Sequence, residues 1–196
     1  MSESIHALRK FGLRARHRLS ASQRRCASRR ACRRLARQPV AKRARRIGIY
    51  NALASEADPA FLSLHLRSDQ TFFWPRVAGS NLVFVANTPS RLRFARSELG
   101  MAEPVAGRGW AAAALDLLIM PLAAFDDWGQ RVGMGGGYYD RTLAATARAP
   151  GWRRPTLIGL AFEAQRVAWI PARDWDVPLD WIATEAGVYR CGGLAG

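Results

Sequence analysis

The surplus positive charge of this chain is confined to its first 46 residues, and that partition constrains the fold more than any other sequence feature. Residues 1–46 carry 16 of the 30 basic residues and a single acid, Glu3; residues 47–196 carry 14 of each sign and are neutral. A segment so charged cannot form a core of its own, so it must lay a narrow apolar face on the neutral remainder. That remainder is apolar enough to bury a core: the whole chain is 49% hydrophobic and 23% charged over 196 residues. One globular domain spanning 1–196, with 1–46 as a basic helical part of it, is the expected organisation. The net charge of +15 by itself points to nucleic acid or an anionic surface. Lys10 and Lys42 are the only lysines, and such an arginine bias also follows from GC-rich coding.

Within the basic segment, Leu8, Phe11, Ala15 and Leu19 recur at spacings of three and four and predict one apolar helix face. Ser20 and Gln23 fit a capping box opening a second helix, whose stripe is Ala27, Ala31 and Leu35. Pro39 stops that helix and opens a short turn over 40–45. Beyond residue 46 the pattern changes to short apolar runs at 47–50, 72–74, 82–86, 115–120, 156–162 and 181–184, which read as buried strands. Helices are expected over 59–67, capped by Asp58, and over 110–114 and 138–148, with a frayed end at 192–196. Strand–helix alternation predicts a three-layer α/β/α fold with a mainly parallel, Rossmann-like central sheet.

Cys26, Cys32 and Cys191 are odd in number and lack C-x-x-C spacing, so neither a disulfide framework nor a zinc site is indicated. Reduced thiols and a cytoplasmic location are expected. No apolar run reaches the roughly 18–20 residues of a membrane span. The Arg-rich, acid-poor start resembles a transit peptide, but the roles of Lys10 and Arg14 below place it in the working protein. His6, His17 and His65 are scattered, which argues against a histidine-based triad.

The chemistry concentrates in one stretch. A strand ends at Pro121, an irregular loop follows, and Gly133, Gly135, Gly136 and Gly137 lead into a helix starting near Tyr138. Ligands of open α/β sheets sit beyond the carboxyl ends of strands. Glycines there admit a phosphate to the backbone, and a helix start offers free N–H groups. Arg131 and Arg141 flank the cluster. The run is neither a Walker A loop nor a dinucleotide fingerprint. Asp140 beside a phosphate would repel it unless a cation mediates, so magnesium is implied; Asp176, in Arg173-Asp-Trp-Asp-Val-Pro-Leu-Asp180, is a second carboxylate for it.

The segment Phe125-Asp-x-x-Gly-x-Arg-x-Gly-x-Gly-Gly-Gly-Tyr-Tyr-Asp-Arg141, after a strand ending Met-Pro, resembles the 5-formyltetrahydrofolate cyclo-ligase family. Supporting matches run from Lys10-x-x-Leu-Arg14 through Tyr50, Glu56-x-Asp58, Trp74-Pro75-Arg76, Gly100-x-x-Glu103-Pro104 and Asp176-Val-Pro-Leu-Asp180 to Thr184-Glu185. The resemblance implies an ATP- and Mg2+-dependent ring closure of 5-formyltetrahydrofolate to 5,10-methenyltetrahydrofolate, releasing ADP and phosphate. It implies ATP contacts by Lys10, Arg14, Arg131, Gly133, Met134, Gly135, Gly136, Gly137, Tyr138 and Tyr139. Folate contacts fall to Asn51, Glu56, Met134, Gly135, Gly136, Gly137 and Tyr138, and magnesium to Asp140 and Asp176. Arg131, Tyr138 and Asp140 stand at the chemistry. Two departures bear on local contacts: Trp175 replaces a usually polar residue, and Asn51-Ala-Leu-Ala-Ser55 occupies a stretch where an aromatic or proline is common. The rival class is a nucleic-acid-binding protein acting through its Arg-rich helices, although no recognised binding motif accompanies them. A monomer that does not enter the membrane is the remaining expectation.

Overall fold

The computed structural model describes residues 4–65, 67–87, 93–96, 102–147 and 154–192. Three helices open the chain: α1 (Ile5–Arg18), α2 (Ala21–Ala36) and α3 (Pro39–Arg43). Strands β1 (Arg46–Gly48), β2 (Thr71–Ala78), β3 (Asn81–Ala86), β4 (Phe94–Arg96), β5 (Ala102–Pro104) and β6 (Gly109–Trp110) follow. Then come β7 (Leu117–Met120), β8 (Ala124–Phe125), β9 (Arg131–Val132), helix α4 (Tyr138–Ala147), β10 (Thr156–Leu160), β11 (Trp181–Ala183) and β12 (Val188–Arg190).

Eight strands form one mixed sheet in the order β12-β11-β10-β7-β1-β2-β3-β6. The middle pairings, β11 to β10, β10 to β7, β7 to β1 and β1 to β2, are parallel; β12, β3 and β6 join antiparallel toward the edges. Central β7 shows why the chain layers as it does. All four of its residues are buried, and alternate side chains go to opposite faces. Leu117 and Ile119 pack with Ala31, Leu35 and Ala41 of α2 and α3, whereas Leu118 and Met120 pack with Leu143 of α4. The expected three-layer α/β/α fold is what the structure shows. Pro75 interrupts no ladder, because β1 pairs with β2 only as far as Phe73 and β3 alone lies beside Pro75.

Helix α2 begins with the expected capping box between Ser20 and Gln23 and buries Ala27, Ala31 and Leu35. Helix α1 departs from expectation. Its buried face is Leu8, Gly12 and Arg16, and Phe11 is exposed. The physical reason is a close backbone approach: a Cβ at Gly12 would run into the Ala123 carbonyl, so the helix turns its glycine to the loop after β7. Leu8 then packs with Ala124, Val132 and Ile170.

Other elements differ too. The segment expected as a helix at 59–67 is a 3-10 turn, Pro59–Leu64, with Asp58 accepting from Ala60 N as anticipated. The helix expected at 110–114 is instead edge strand β6 followed by a 3-10 turn at Ala112–Ala114. Trp110 pairs opposite Phe84 and packs edge-on against Phe73, with the Arg108 guanidinium over its ring; aromatic burial at a sheet edge outweighs local alanine propensity. Two antiparallel pairs, β4–β5 and β8–β9, were not anticipated; the second lies in the loop read from sequence as irregular. Gly100, Arg148 and 193–196 lie outside the described residues. Among those described, no helix is long and apolar enough to cross a membrane.

Gly12→Ala should lower the unfolding free energy by about 1–3 kcal/mol, the usual cost of overpacking a tight contact. Urea denaturation should show a lower midpoint at unchanged slope. An unaltered midpoint would mean that α1 is not seated by this contact.

Candidate active site

A cavity of about 650 Å³ opens beyond the carboxyl ends of β1 and β7, where Tyr50, Asn51 and Pro121 line it. Its other walls include the first turns of α1 (Ile5, Arg9), the loop carrying Leu53 and Glu56, Arg131 with the glycine run and first turn of α4 (133–141), Ala102 and Glu103 of β5, and Arg173, Trp175 and Asp176. This is the position that the parallel core of the sheet favours for a ligand.

The glycine loop is shaped by its backbone. Gly135 and Gly137 have φ of 107° and 65°, conformations that any side chain would strain. The Arg9 guanidinium lies over Gly135, and its Nε donates to the Gly133 carbonyl at 2.8 Å. The loop leads into the first turn of α4, so Tyr138, Tyr139 and Asp140 all reach the cavity. Arg141 stacks over the Tyr138 ring at 4.9 Å and donates to the Ser80 carbonyl.

Arg131 holds the two sides of the cavity mouth together. One guanidinium nitrogen donates to Asp140 Oδ1 at 2.5 Å and the other to the Val177 carbonyl. The loop carrying Asp176 is thereby tied to α4. Burial, followed by the neighbouring Asp140 charge, pushes the Asp176 carboxyl above its ordinary range. Two mutually repelling carboxylates beside a glycine-rich loop suit Mg2+, which characteristically takes one or two protein carboxylates and completes its shell with phosphate oxygens and water. Among the described residues no group of three or more His, Cys, Asp or Glu side chains is placed to hold a metal. An all-protein metal cage is therefore not what these residues offer.

A second hydrogen-bonded group lies around Glu56. Arg16 donates to Glu56 Oε1 at 3.2 Å in a pair whose side chains are 3% and 7% exposed, and Leu53 N donates to Oε2 at 3.0 Å. Arg16 also approaches the Met134 sulfur at 3.9 Å. Burial and the Glu56 charge push the Tyr50 and Tyr139 phenols well up, so both remain neutral donors; Tyr50 already donates to the Ala57 carbonyl. Asn51 is committed at both ends of its amide, donating to the Ala102 carbonyl at 2.6 Å and accepting from Trp74 Nε1 at 3.0 Å. It braces the β4–β5 hairpin while lining the cavity.

The structure thus gathers Asn51, Glu56, Arg131, the glycine run, Tyr138, Tyr139, Asp140 and Asp176 around one cavity. It does not bring Lys10 and Arg14 there: both are exposed and absent from its lining. With about 100° of rotation per helical residue, they fall opposite the Leu8–Gly12–Arg16 face, and Arg9 and Arg16 turn inward instead. Sequence reasoning missed Arg9, Arg16 and Arg173; for the first two the available signal was Gly12, a small residue marking the packed face. It also missed Asp126, which is fully buried. Its carboxylate accepts from the backbone N–H groups of Trp128, Gln130 and Ile170 at 2.9–3.0 Å, setting the turn that delivers Arg131.

Arg16→Met should be strongly destabilising, by roughly 3–5 kcal/mol, because it leaves the Glu56 carboxylate buried and unpaired. The double substitution Arg16→Met, Glu56→Gln should recover a large part of that loss in denaturant titrations. Equal losses in both proteins would show that the pair is not what stabilises this corner.

The sequence pattern of the 5-formyltetrahydrofolate cyclo-ligase family matches residues 1–185. The chain is 44% identical over 78 residues to the 5-formyltetrahydrofolate cyclo-ligase of Escherichia coli (strain K12), covering 39% of this chain and 40% of that protein. It is 49% identical over 67 residues to the enzyme of that name from Haemophilus influenzae, covering 33% of each. The aligned stretches thus span two fifths or less of these relatives. The fold of the Aquifex aeolicus 5,10-methenyltetrahydrofolate synthetase superposes with a TM-score of 0.81 at 27% identity, over 98% of this chain and 95% of that one. With a family match over nearly all its length, and a glycine loop, carboxylate pair and cavity in one place, the chain belongs to the 5-formyltetrahydrofolate cyclo-ligase family.

Proposed function

We propose that the protein closes the ring of 5-formyltetrahydrofolate at the expense of ATP, giving 5,10-methenyltetrahydrofolate, ADP and phosphate. The observation that carries this reading is the single cavity in which a phosphate-shaped glycine loop and two coupled carboxylates face a second polar cluster around Glu56. Two ligands can meet there. Family membership and the names of the relatives support the folate substrate.

In this mechanism the formyl oxygen attacks the γ-phosphorus and ADP departs. The second folate nitrogen then attacks the activated formyl carbon, loses its proton, and the former formyl oxygen leaves with phosphate. The substrate supplies both nucleophiles, so the protein's work is positioning and charge neutralisation. Arg131 and Arg9 offer guanidinium groups to phosphate oxygens beside the loop formed by Gly133, Met134, Gly135, Gly136 and Gly137. Tyr138 and Tyr139 line the junction of the two ligands. Asp140 and Asp176 would hold Mg2+, which supplies charge neutralisation at the phosphates when bound. Glu56 and Asn51 form the folate side of the wall. Lys10 and Arg14, on the outward face of α1, add to the long-range field that draws in polyanionic ligands.

Incubated with Mg-ATP and 5-formyltetrahydrofolate, the purified protein should produce the near-ultraviolet absorbance of the methenyl product. Folded protein giving no ATP-dependent signal would sink the assignment. Asp140→Asn should reduce turnover by about 10- to 100-fold at low magnesium, as loss of a charge-assisted contact does. Raising magnesium should restore part of it. Activity unchanged throughout the titration would remove Asp140 from the metal role.

A further inference from the structure

We infer that the indole of Trp175 is the platform on which the purine base of the nucleotide stacks. This rests on the ATP reading of the cavity. Trp175 is 62% exposed, more surface than its backbone can supply, so the indole itself is open. Trp128 and Trp169 are also exposed, but among these three only Trp175 lines the large cavity. The Arg173 guanidinium lies over its ring, 5.8 Å from the centroid. A cation thus occupies one face of the indole, and the other face remains for a planar group. The ring is also held in place from below. Arg173 N donates to Asp176 Oδ2 at 3.2 Å, and Asp176 N donates to the Arg173 carbonyl at 3.0 Å, a closed turn with Trp175 inside it.

The place of this turn in the wall specifies which ligand it serves. Trp175 directly precedes Asp176, and Arg131 ties the next residue, Val177, to Asp140 on α4. Trp175 therefore belongs to the phosphate side of the cavity, whereas Glu56 and Asn51 are held by other partners. In the proposed reaction the γ-phosphate has to meet the folate. The nucleoside end of ATP then points away from the folate, toward the mouth that Arg131 spans. A base leaving the phosphates in that direction meets the indole of Trp175. Stacking suits a base at an open lip, because every base has a π-face and the contact needs no matched hydrogen-bonding edge.

Trp175→Ala is the discriminating variant. The dissociation constant for Mg-ATP, measured calorimetrically without folate, should rise roughly 5- to 100-fold, the loss expected of one base–aromatic stack. Trp175→Phe keeps a ring and should stay within about threefold of wild type. Magnesium tripolyphosphate is the same phosphate chain without a base, and Trp175→Ala should bind it within about twofold of wild type. KM for ATP should rise with the dissociation constant, and the affinity for 5-formyltetrahydrofolate should not follow. An equal penalty on tripolyphosphate overturns the assignment, because the change then acts through Asp176 and the phosphates. A penalty falling on folate in place of ATP overturns it as well. Should the variant fold poorly, NMR of wild type reads the same contact: nuclear Overhauser signals should join the assigned Trp175 indole to the adenine ring protons of bound ATP, and their absence refutes it. Wild type that binds no ATP sinks the ATP reading together with this inference. Wild type that binds and turns over beside an unaffected Trp175→Ala sinks this inference alone.

Discussion

The architecture of the site depends on how α1 is seated. Gly12 brings the helix backbone against the loop after β7, and the same rotation carries Arg16 into the interior. A guanidinium so deeply buried is tolerable only with a carboxylate partner, which Glu56 provides. From this one pairing follow the position of the loop after β1, the placement of Arg9 over the glycine run, and the contact of Arg16 with Met134. The basic segment is therefore a wall of the cavity rather than a tail on a finished domain. Its exposed arginines lie outside that wall, and some dock the segment on the body: Arg34 donates to the Glu185 carbonyl and Arg29 lies over the Phe61 ring.

Hydrogen-bonded groups divide the cavity between them. One runs from Asp126 through the β8–β9 turn to Arg131, and on to Asp140 and the backbone beside Asp176. Across from it, Arg16 and Leu53 hold Glu56, and a separate group ties Trp74 and Asn51 to the β4–β5 hairpin. Tyr139 stands between them, its phenol sensing both Glu56 and Arg131. In the proposed reaction two bound molecules react with each other, and the fold's contribution there is to hold separately organised surfaces around a common space.

Much of this was readable along the chain. The apolar runs, the capping box at Ser20, the cap at Asp58 and the strand–loop–glycine–helix order are local patterns, and local chemistry specifies them. The resemblance carried by 125–141 named the glycine-loop side of the cavity lining. What escaped were residues whose role depends on partners far away in sequence. Asp126 is a turn residue until Ile170 arrives at its other oxygen. Trp110 lies in an alanine-rich helical pattern until Phe84 pairs with it. Glu103 is one more acid in a short loop until the Val77 N–H ties it to β2.

The charge partition between 1–46 and the rest shows the division most clearly. Sequence by itself determined that the basic segment is helical and must dock on a neutral three-layer body, because helical periodicity and the cost of burying charge are local matters. Only tertiary structure decided which basic residues face the ligand cavity. Lys10 and Arg14 and their neighbours Arg9 and Arg16 are chemically alike and share one helix. The rotation that turns Arg9 and Arg16 inward is set by the meeting of Gly12 with Ala123, 111 residues away in sequence; Gly12 hints at the packed face, but the partner that makes it decisive lies outside the helix.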